Sequence, residues 1–203
     1  CDIPPFYFPI KGDSPKEITE LWTDSENDLF IGVADGAFYM VAKAGDKNFL
    51  DKKNYQIGRA SDSSMTILKG ELPVKKIVTG AGVYSFGENR TNKNIVWIGS
   101  GRGLFQYNKA NNELSNVSSP DSALTITHIE AFANGDVWLS TLEKGMGVYH
   151  QPNKTFRFFP YPTKIPAAET SPRIQDFCIK SRSEFFVAVK DSLPAIFNIA
   201  DGT

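Results

Sequence analysis

The chain has 203 residues and a mass of 22.5 kDa, the size of one ordinary domain or at most two small ones. Hydrophobic residues make up 41% of it and charged residues 22%, a composition that allows a core and argues against disorder. The 22 Lys and Arg residues nearly balance the 23 Asp and Glu residues, and the formal net charge is −1. This balance removes the electrostatic argument for nucleic acid or an anionic membrane as the main partner. No apolar run approaches the roughly 18 residues of a membrane-spanning helix.

The N-terminus is Cys1-Asp2-Ile3-Pro4-Pro5. It resembles the start of mature bacterial lipoproteins, in which an acylated Cys precedes a short polar or Pro-rich tether. We therefore predict lipidation of Cys1 and a flexible tether over residues 1–5, with an unmodified terminal Cys as the alternative. Cys178 lies within the apolar run 177–179, which favours a small buried side chain over a reactive thiol.

The apolar residues occur in short runs at strand period, and Gly, Asn, Asp and Pro bound these runs. β-Branched and aromatic residues dominate the runs, and no segment has a convincing helical pattern. The tract 96–107 predicts a strand, a tight glycine turn and a second strand. Because a strand follows its three glycines, the tract is better interpreted as a hairpin than as a phosphate-binding loop. The fold class is therefore all-β.

A repeat is the strongest signal in the sequence. Each of four segments has a leading aliphatic residue, a polar turn, a strand with a central aromatic residue, and a third strand that ends in an aromatic residue in most copies. The leading residue and the central aromatic are 12 positions apart in three segments: Ile18 and Phe30, Ile126 and Trp138, Ile174 and Phe186. In the other segment, Val83 and Trp97 are 14 apart, with the excess in the polar turn 88–94. Chance seldom preserves one spacing three times, so one structural unit recurs along the chain.

Each unit predicts a four-stranded antiparallel blade, which buries both faces only by stacking on its neighbours around an axis. We therefore predict a β-propeller of about four to five blades over residues 6–203, complete or part of a larger ring. We expect residues 126–150 to form three consecutive antiparallel strands, with Trp138 buried between blades. Either residues 6–10 pair with 195–199 to close the ring, or the chain continues past Thr203; we favour the second. The predicted units lie near 17–50, 77–118, 124–162 and 172–203, and 51–76 is an insertion or a degenerate blade.

Segments 126–149 and 96–107 resemble the two-component regulator propeller repeat. The resemblance rests on Asn-Gly-Asp-Val-Trp-Leu-Ser-Thr with Gly-Met-Gly-Val-Tyr, and on Val-Trp-Ile-Gly-Ser with Gly-Leu-Phe-Gln-Tyr. It implies an extracytoplasmic propeller, in the periplasm or at the outer membrane, such as the sensory part of a hybrid two-component regulator or an exported lipoprotein of Bacteroidetes. It also implies a carbohydrate fragment as the typical signal. An envelope protein is the alternative partner. Residues 1–203 contain no recognisable kinase, receiver or DNA-binding segment, so signalling would need further chain.

The candidate site lies two residues after each leading aliphatic residue, at Glu20, Ser85, His128 and Asp176. Because this set is mixed, we expect a non-catalytic binding module without cofactor or metal, and Glu20, His128 and Asp176 are its candidate binding residues. A propeller lyase or hydrolase is the alternative if these three side chains converge within metal-binding distance. A structural subunit of an envelope complex is a third possibility.

One further cluster of acidic residues and one histidine are also candidate functional residues. Asp24, Glu26 and Asp28 lie in one loop, but they lack the ligand spacing and the central glycine of an EF-hand calcium loop. We therefore expect a solvated turn there. His150 follows the outer aromatic of its unit, has no acid–base partner at identifiable spacing, and is expected to be structural or exposed.

Overall fold

The computed structural model describes residues 17–41, 56–59, 65–69, 74–117, 124–159, 174–181, 183–189 and 193–199. Only the backbone is described at 56–59, 65–69 and 74. These parts of the chain contain strands and no helix, and therefore no helix long and apolar enough to cross a membrane. The predictions for Cys1, for residues 1–5 and for the pairing of residues 6–10 lie outside the described residues.

Four antiparallel sheets follow one another along the chain, and the all-β prediction is confirmed. The first has the order β1-β2-β3-β6, with bounds Ile18–Thr23, Leu29–Val33, Ala37–Val41 and Val74–Val78. The second has the order β7-β8-β9-β10, with bounds Val83–Glu88, Ile95–Ser100, Gly103–Asn108 and Glu113–Val117. The third has the order β11-β12-β13-β14, with bounds Ile126–Ala131, Asp136–Thr141, Gly145–His150 and Thr155–Phe159. The fourth has the order β15-β16-β17, with bounds Ile174–Ile179, Glu184–Val189 and Ala195–Asn198.

The chain leaves the first sheet after its third strand and returns to form the fourth. A separate two-stranded hairpin lies there in the sequence, with β4 at Gln56–Arg59 and β5 at Met65–Lys69. The fourth strand, Val74–Val78, pairs with β3 and crosses the boundary that we placed between residues 76 and 77. The first sheet therefore reaches further along the chain than the predicted unit 17–50. This outer strand lacks the aromatic and glycine signals by which the repeat was recognised.

Stacking between consecutive sheets is built on the central aromatic of each second strand. Phe30 packs against Phe86 of the second sheet, with ring centroids 5.5 Å apart. Trp97 packs against Tyr149 of the third sheet at 5.7 Å. Trp138 packs against the fourth sheet, and its ring centroid lies 5.1 Å from that of Phe185. These contacts bury large apolar surfaces between sheets, which is the main stabilising term of such a stack.

The prediction for residues 126–150 is confirmed: β11, β12 and β13 are antiparallel, and Trp138 is only 5% exposed. The expectation of a buried Cys178 is wrong, because this free cysteine is exposed. Phe177 points into the contact with the third sheet, so its neighbour Cys178 lies on the opposite face of β15. There it pairs across the strands with Phe186, which is 45% exposed.

Every innermost strand is bulged at its second residue. The register shifts between Ile18 and Glu20, and it shifts at the corresponding place in β7, β11 and β15. After the bulge, the four candidate positions pair with small residues of the second strands: Gly32, Gly99, Ser140 and Ala188. A Cβ atom at Gly32 would lie 2.8 Å from the carbonyl oxygen of Val83. Glycine is therefore required at Gly32, where the innermost strand of the second sheet approaches.

Candidate functional site

The innermost strands are joined to one another by side-chain hydrogen bonds near their bulges. The Thr19 hydroxyl donates to the carbonyl oxygen of Val83, and Thr127 Oγ1 donates to that of Ile174 at 2.9 Å. Between the second and third sheets, Ser85 Oγ accepts from the backbone N–H of Ile129 at 3.0 Å. Ser85, one of the four candidate positions, therefore contributes to the frame that holds the other three.

The structure brings His128 and Asp176 into contact, and it places Glu20 within electrostatic range of Asp176. His128 Nδ1 lies 3.0 Å from Asp176 Oδ1, and their side chains are 34% and 64% exposed. The His128 ring also meets Phe177 edge-on, at 4.9 Å between centroids. Burial, and next the negative charge of Asp176, raise the pKa of the Glu20 carboxyl. Residues from the first, third and fourth sheets thus interact; we call them the inner-strand site.

The side chains of Glu20, His128 and Asp176 converge only in part. His128 and Asp176 are in contact. The interaction of Glu20 with Asp176 is electrostatic only. Within the described ranges, the three residues whose ligand atoms all lie within 4.8 Å of one another are Asp24, Glu26 and Asp28. Glu20, His128 and Asp176 do not form such a group.

Asp24, Glu26 and Asp28 surround the ammonium group of Lys109 from the second sheet. Lys109 Nζ lies 2.8 Å from Glu26 and 3.1 Å from Asp28, and it also contacts Asp24. The Lys109 side chain is 6% exposed and that of Asp24 is completely buried. Burial acts to lower the pKa of Lys109, but hydrogen bonds to the three carboxylates outweigh it and raise the pKa above its ordinary value. The expectation of a solvated turn is therefore wrong for Asp24 and Asp28.

The local structure of this loop explains how it holds the charge. Asp24 Oδ1 accepts from the backbone N–H groups of Glu26 and Asp28, both at 2.9 Å, which bends the chain around the carboxylate. Its other oxygen faces Lys109. The cluster joins two sheets and already contains its cation. His150, for which we expected no acid–base partner, has one: its Nδ1 lies 2.5 Å from Oδ1 of Asp136, its cross-strand neighbour.

A second polar surface, which the sequence analysis missed, lies where β1, β7 and β11 end. It is a cavity of about 140 Å³, and its side chains include Trp22, Glu88, Arg90 and Glu130. One sequence signal bears on it: Glu88 and Arg90 belong to the turn that makes the second repeat two residues longer than the others. We interpreted that excess only as a longer turn.

No family model and no curated protein matches the sequence. Solved structures do match its fold. A chain of a structure entitled mitotic checkpoint complex aligns at TM-score 0.60 and 13% identity, over 93% of this chain and 51% of that one. The β-propeller domain of Cps50 (Swd1) from Myceliophteria thermophila aligns at TM-score 0.59 and 8% identity, over 94% of this chain and 54% of that one. The extracellular domain assigned to the hybrid two component system BT4673 of B. thetaiotaomicron aligns at TM-score 0.50 and 14% identity, over 96% and 28%.

These likenesses, with the stacked four-stranded sheets, define the class of the protein: it is a β-propeller. The chain spans about half the length of the checkpoint and Cps50 chains, and a smaller share of the two-component domain. At identities of 8 to 14%, the comparisons establish the fold alone.

Proposed function

We propose that this protein is a non-catalytic binding propeller that recognises its ligand or partner protein at the inner-strand site. One observation carries the proposal: His128 of the third sheet and Asp176 of the fourth are in contact with partly exposed side chains, and Glu20 of the first sheet is within electrostatic range of Asp176. A rigid stack of sheets that presents such residues is suited to recognition.

The chemistry of the site favours a ligand that donates hydrogen bonds. The pKa of Glu20 is raised because burial, and next the negative charge of Asp176, oppose its ionisation. A hydroxyl, amide or cationic donor placed between the two carboxylates would relieve this opposition. The hydroxyl groups of a carbohydrate fragment, which the repeat resemblance implies, meet this requirement. A donor side chain of an envelope protein meets it as well.

We favour binding over catalysis because Glu20, His128 and Asp176 do not all lie close to one another. The His128–Asp176 pair is a combination that acid–base enzymes use, but Glu20 does not reach it closely enough to complete a metal centre. The hydroxyl at the fourth position, Ser85 Oγ, accepts a hydrogen bond from the backbone of the next sheet. The competing proposal is a propeller lyase or hydrolase, and the experiment must be able to detect such an activity.

The test is calorimetric titration of the full chain with a panel of oligosaccharides, beside affinity capture of envelope proteins with purified bait. For the ligand identified, we expect Asp176→Asn and Glu20→Gln each to weaken binding about tenfold or more. The matched control is Glu113→Gln, an exposed carboxylate on the outer strand β10. Undiminished binding by the Glu20→Gln/Asp176→Asn double variant would refute the site. Turnover of the ligand, detected by mass spectrometry, would refute the non-catalytic assignment.

We further propose an extracytoplasmic, lipid-anchored location, in the periplasm or at the outer membrane. The support is the repeat resemblance and the extracellular two-component domain among the structures of similar fold; lipidation of Cys1 is the expectation from the sequence. One acyl chain binds a membrane only marginally, whereas the several chains of a mature lipoprotein anchor it stably. Mass spectrometry of the native protein should therefore find acylated Cys1 in the membrane fraction. An unmodified Cys1 would contradict the proposal.

A further inference from the structure

The cavity at the ends of β1, β7 and β11 is separate from the inner-strand site. Its walls come from three consecutive sheets: the loop after β1, the end of β7 with Arg90, and the end of β11. Glu20 and His128 lie nearer the beginnings of the same strands and do not line it. With a volume of about 140 Å³ it is well below the roughly 300–1,000 Å³ of pockets for drug-sized ligands. It fits a small chemical group.

Trp22 forms part of the cavity wall and is half-buried. Its ring stacks on Phe86, with centroids 6.1 Å apart and planes 20° apart, and it packs on Phe30 at 5.4 Å. The contacts fix the ring in place before any ligand arrives. The other two tryptophans, Trp97 and Trp138, are only 1% and 5% exposed. Trp22 is therefore the indole that a dissolved ligand reaches.

The carboxylate of Glu88 is held beside this wall by neutral donors. Its Oε1 accepts from Ser25 Oγ at 2.7 Å and from the Ser25 backbone N–H at 3.3 Å. Because Ser25 and Glu88 belong to different sheets, these bonds orient the carboxylate across the sheet boundary. No Lys, Arg or His among the described residues forms an ion pair with Glu88.

The other charged side chains of the cavity each have a partner of opposite charge. Arg90 Nη2 pairs with Glu130 Oε1 at 3.2 Å, and Arg90 Nε donates to the carbonyl oxygen of Ala131 at 3.2 Å. Asp24, which also lines the cavity, is in contact with Lys109, whose single positive charge it shares with Glu26 and Asp28. Among the residues that the structure describes, Glu88 therefore has no cationic partner, and it lies beside Trp22.

We propose that this cavity binds an organic ammonium group. A carboxylate next to an indole is complementary to an ammonium ion, through a charge-assisted hydrogen bond and through attraction to the aromatic ring. The adjacent loop provides a precedent within the molecule, since its carboxylates already hold the ammonium of Lys109. A free alkylamine and a lysine side chain of a partner protein offer the same group, and the size of the cavity accepts either.

The experiment is a fluorescence titration of the full chain with n-butylammonium chloride, with n-butanol as the neutral isostere. We expect a saturable change in Trp22 emission with the ammonium ion and none with the alcohol at equal concentration. Glu88→Gln should weaken the apparent affinity about tenfold or more, whereas Glu113→Gln should leave it unchanged. Trp22→Phe should abolish the change while the emission of buried Trp97 and Trp138 reports that the fold is intact.

The source of the ammonium group is resolved by a second titration. A short lysine-containing peptide is compared with the same peptide carrying Nε-acetyl-lysine. Tighter binding of the unmodified peptide than of n-butylammonium identifies a protein side chain, and weaker binding identifies a free amine. Equal responses to n-butylammonium and n-butanol, or unchanged affinity in Glu88→Gln, would overturn the proposal. So would loss of the response in Glu20→Gln/Asp176→Asn alone, because the ion would then occupy the inner-strand site.

Discussion

The ammonium of Lys109 is a buried cation that joins the first two sheets through the carboxylates of one loop. Lys109→Met would leave Asp24 and Asp28 buried without their counter-ion. Removing one partner of a buried ion pair typically costs about 3–5 kcal/mol, and the half-exposed Glu26 places this cluster toward the lower end. Urea unfolding should show this loss. Lys93→Met, at an exposed lysine, is the control, and an equally small change in both variants would contradict the assignment.

Glu20 makes folding stability depend on pH in a definite direction. Its pKa is raised from 4.5 in the folded protein by burial and then by Asp176, so the native state binds a proton that the unfolded chain releases. Stability is therefore lost as pH rises through the folded pKa, and it is preserved below the unfolded value. We expect Glu20→Gln to be more stable than the parent at about pH 7, with the advantage shrinking toward about pH 4. A constant difference across this range would contradict the argument.

At the scale of the element, the close approach of the innermost strand β11 to the second strand β8 of the preceding sheet makes a specific prediction about two glycines. A Cβ atom at Gly99 would lie 2.7 Å from Ile126 Cγ2 and 3.2 Å from the Ile126 carbonyl oxygen. At Gly101 it would meet Ala81 at an ordinary 3.4 Å. Gly99→Ala should therefore destabilise by about 1–3 kcal/mol, as overpacked sites do, and Gly101→Ala much less. Similar unfolding midpoints for the two variants would show that the strands separate more easily than this geometry implies.

The repeat was predictable because its signals are local. Strand period, turn residues and the fixed spacing from Ile126 to Trp138 lie within one unit, and they specify the blade without knowledge of distant contacts. The outer strand at Val74–Val78 has no such signal, so the extent of the first sheet was misplaced. The exposure of Cys178 was also misjudged, because a run of three apolar residues does not tell which face of a strand is covered.

The candidate site was predictable only in part, for a related reason. Equivalent positions in a repeat meet around one axis, which is why Glu20, His128 and Asp176 were found together. Lys109 and Asp24 are 85 residues apart and occupy non-equivalent positions, so no periodicity links them. The cavity near Trp22 likewise depends on turn residues that differ from one unit to the next.

At the scale of the whole molecule, the stack of sheets has an uncovered apolar face on its fourth member. The central aromatics Phe30, Trp97 and Trp138 are 0%, 1% and 5% exposed, whereas Phe186 in the same position is 45% exposed. Its cross-strand neighbour Ile196 is 48% exposed. Exposed apolar residues that adjoin one another in this way form a patch that binds hydrophobic dyes and promotes association.

The unequal burial of equivalent residues predicts unequal mutational costs. Trp138→Ala should cost on the order of 3–5 kcal/mol, because it empties a contact between two sheets. Phe186→Ala removes a side chain that remains almost half in water, so its cost in urea unfolding should stay within about 1 kcal/mol. The same substitution should lower the fluorescence of a bound hydrophobic dye, whereas Leu21→Ala, on the first sheet and 56% exposed, should change it little. A cost for Phe186→Ala as large as that for Trp138→Ala would mean that the fourth sheet is covered in solution as the first three are.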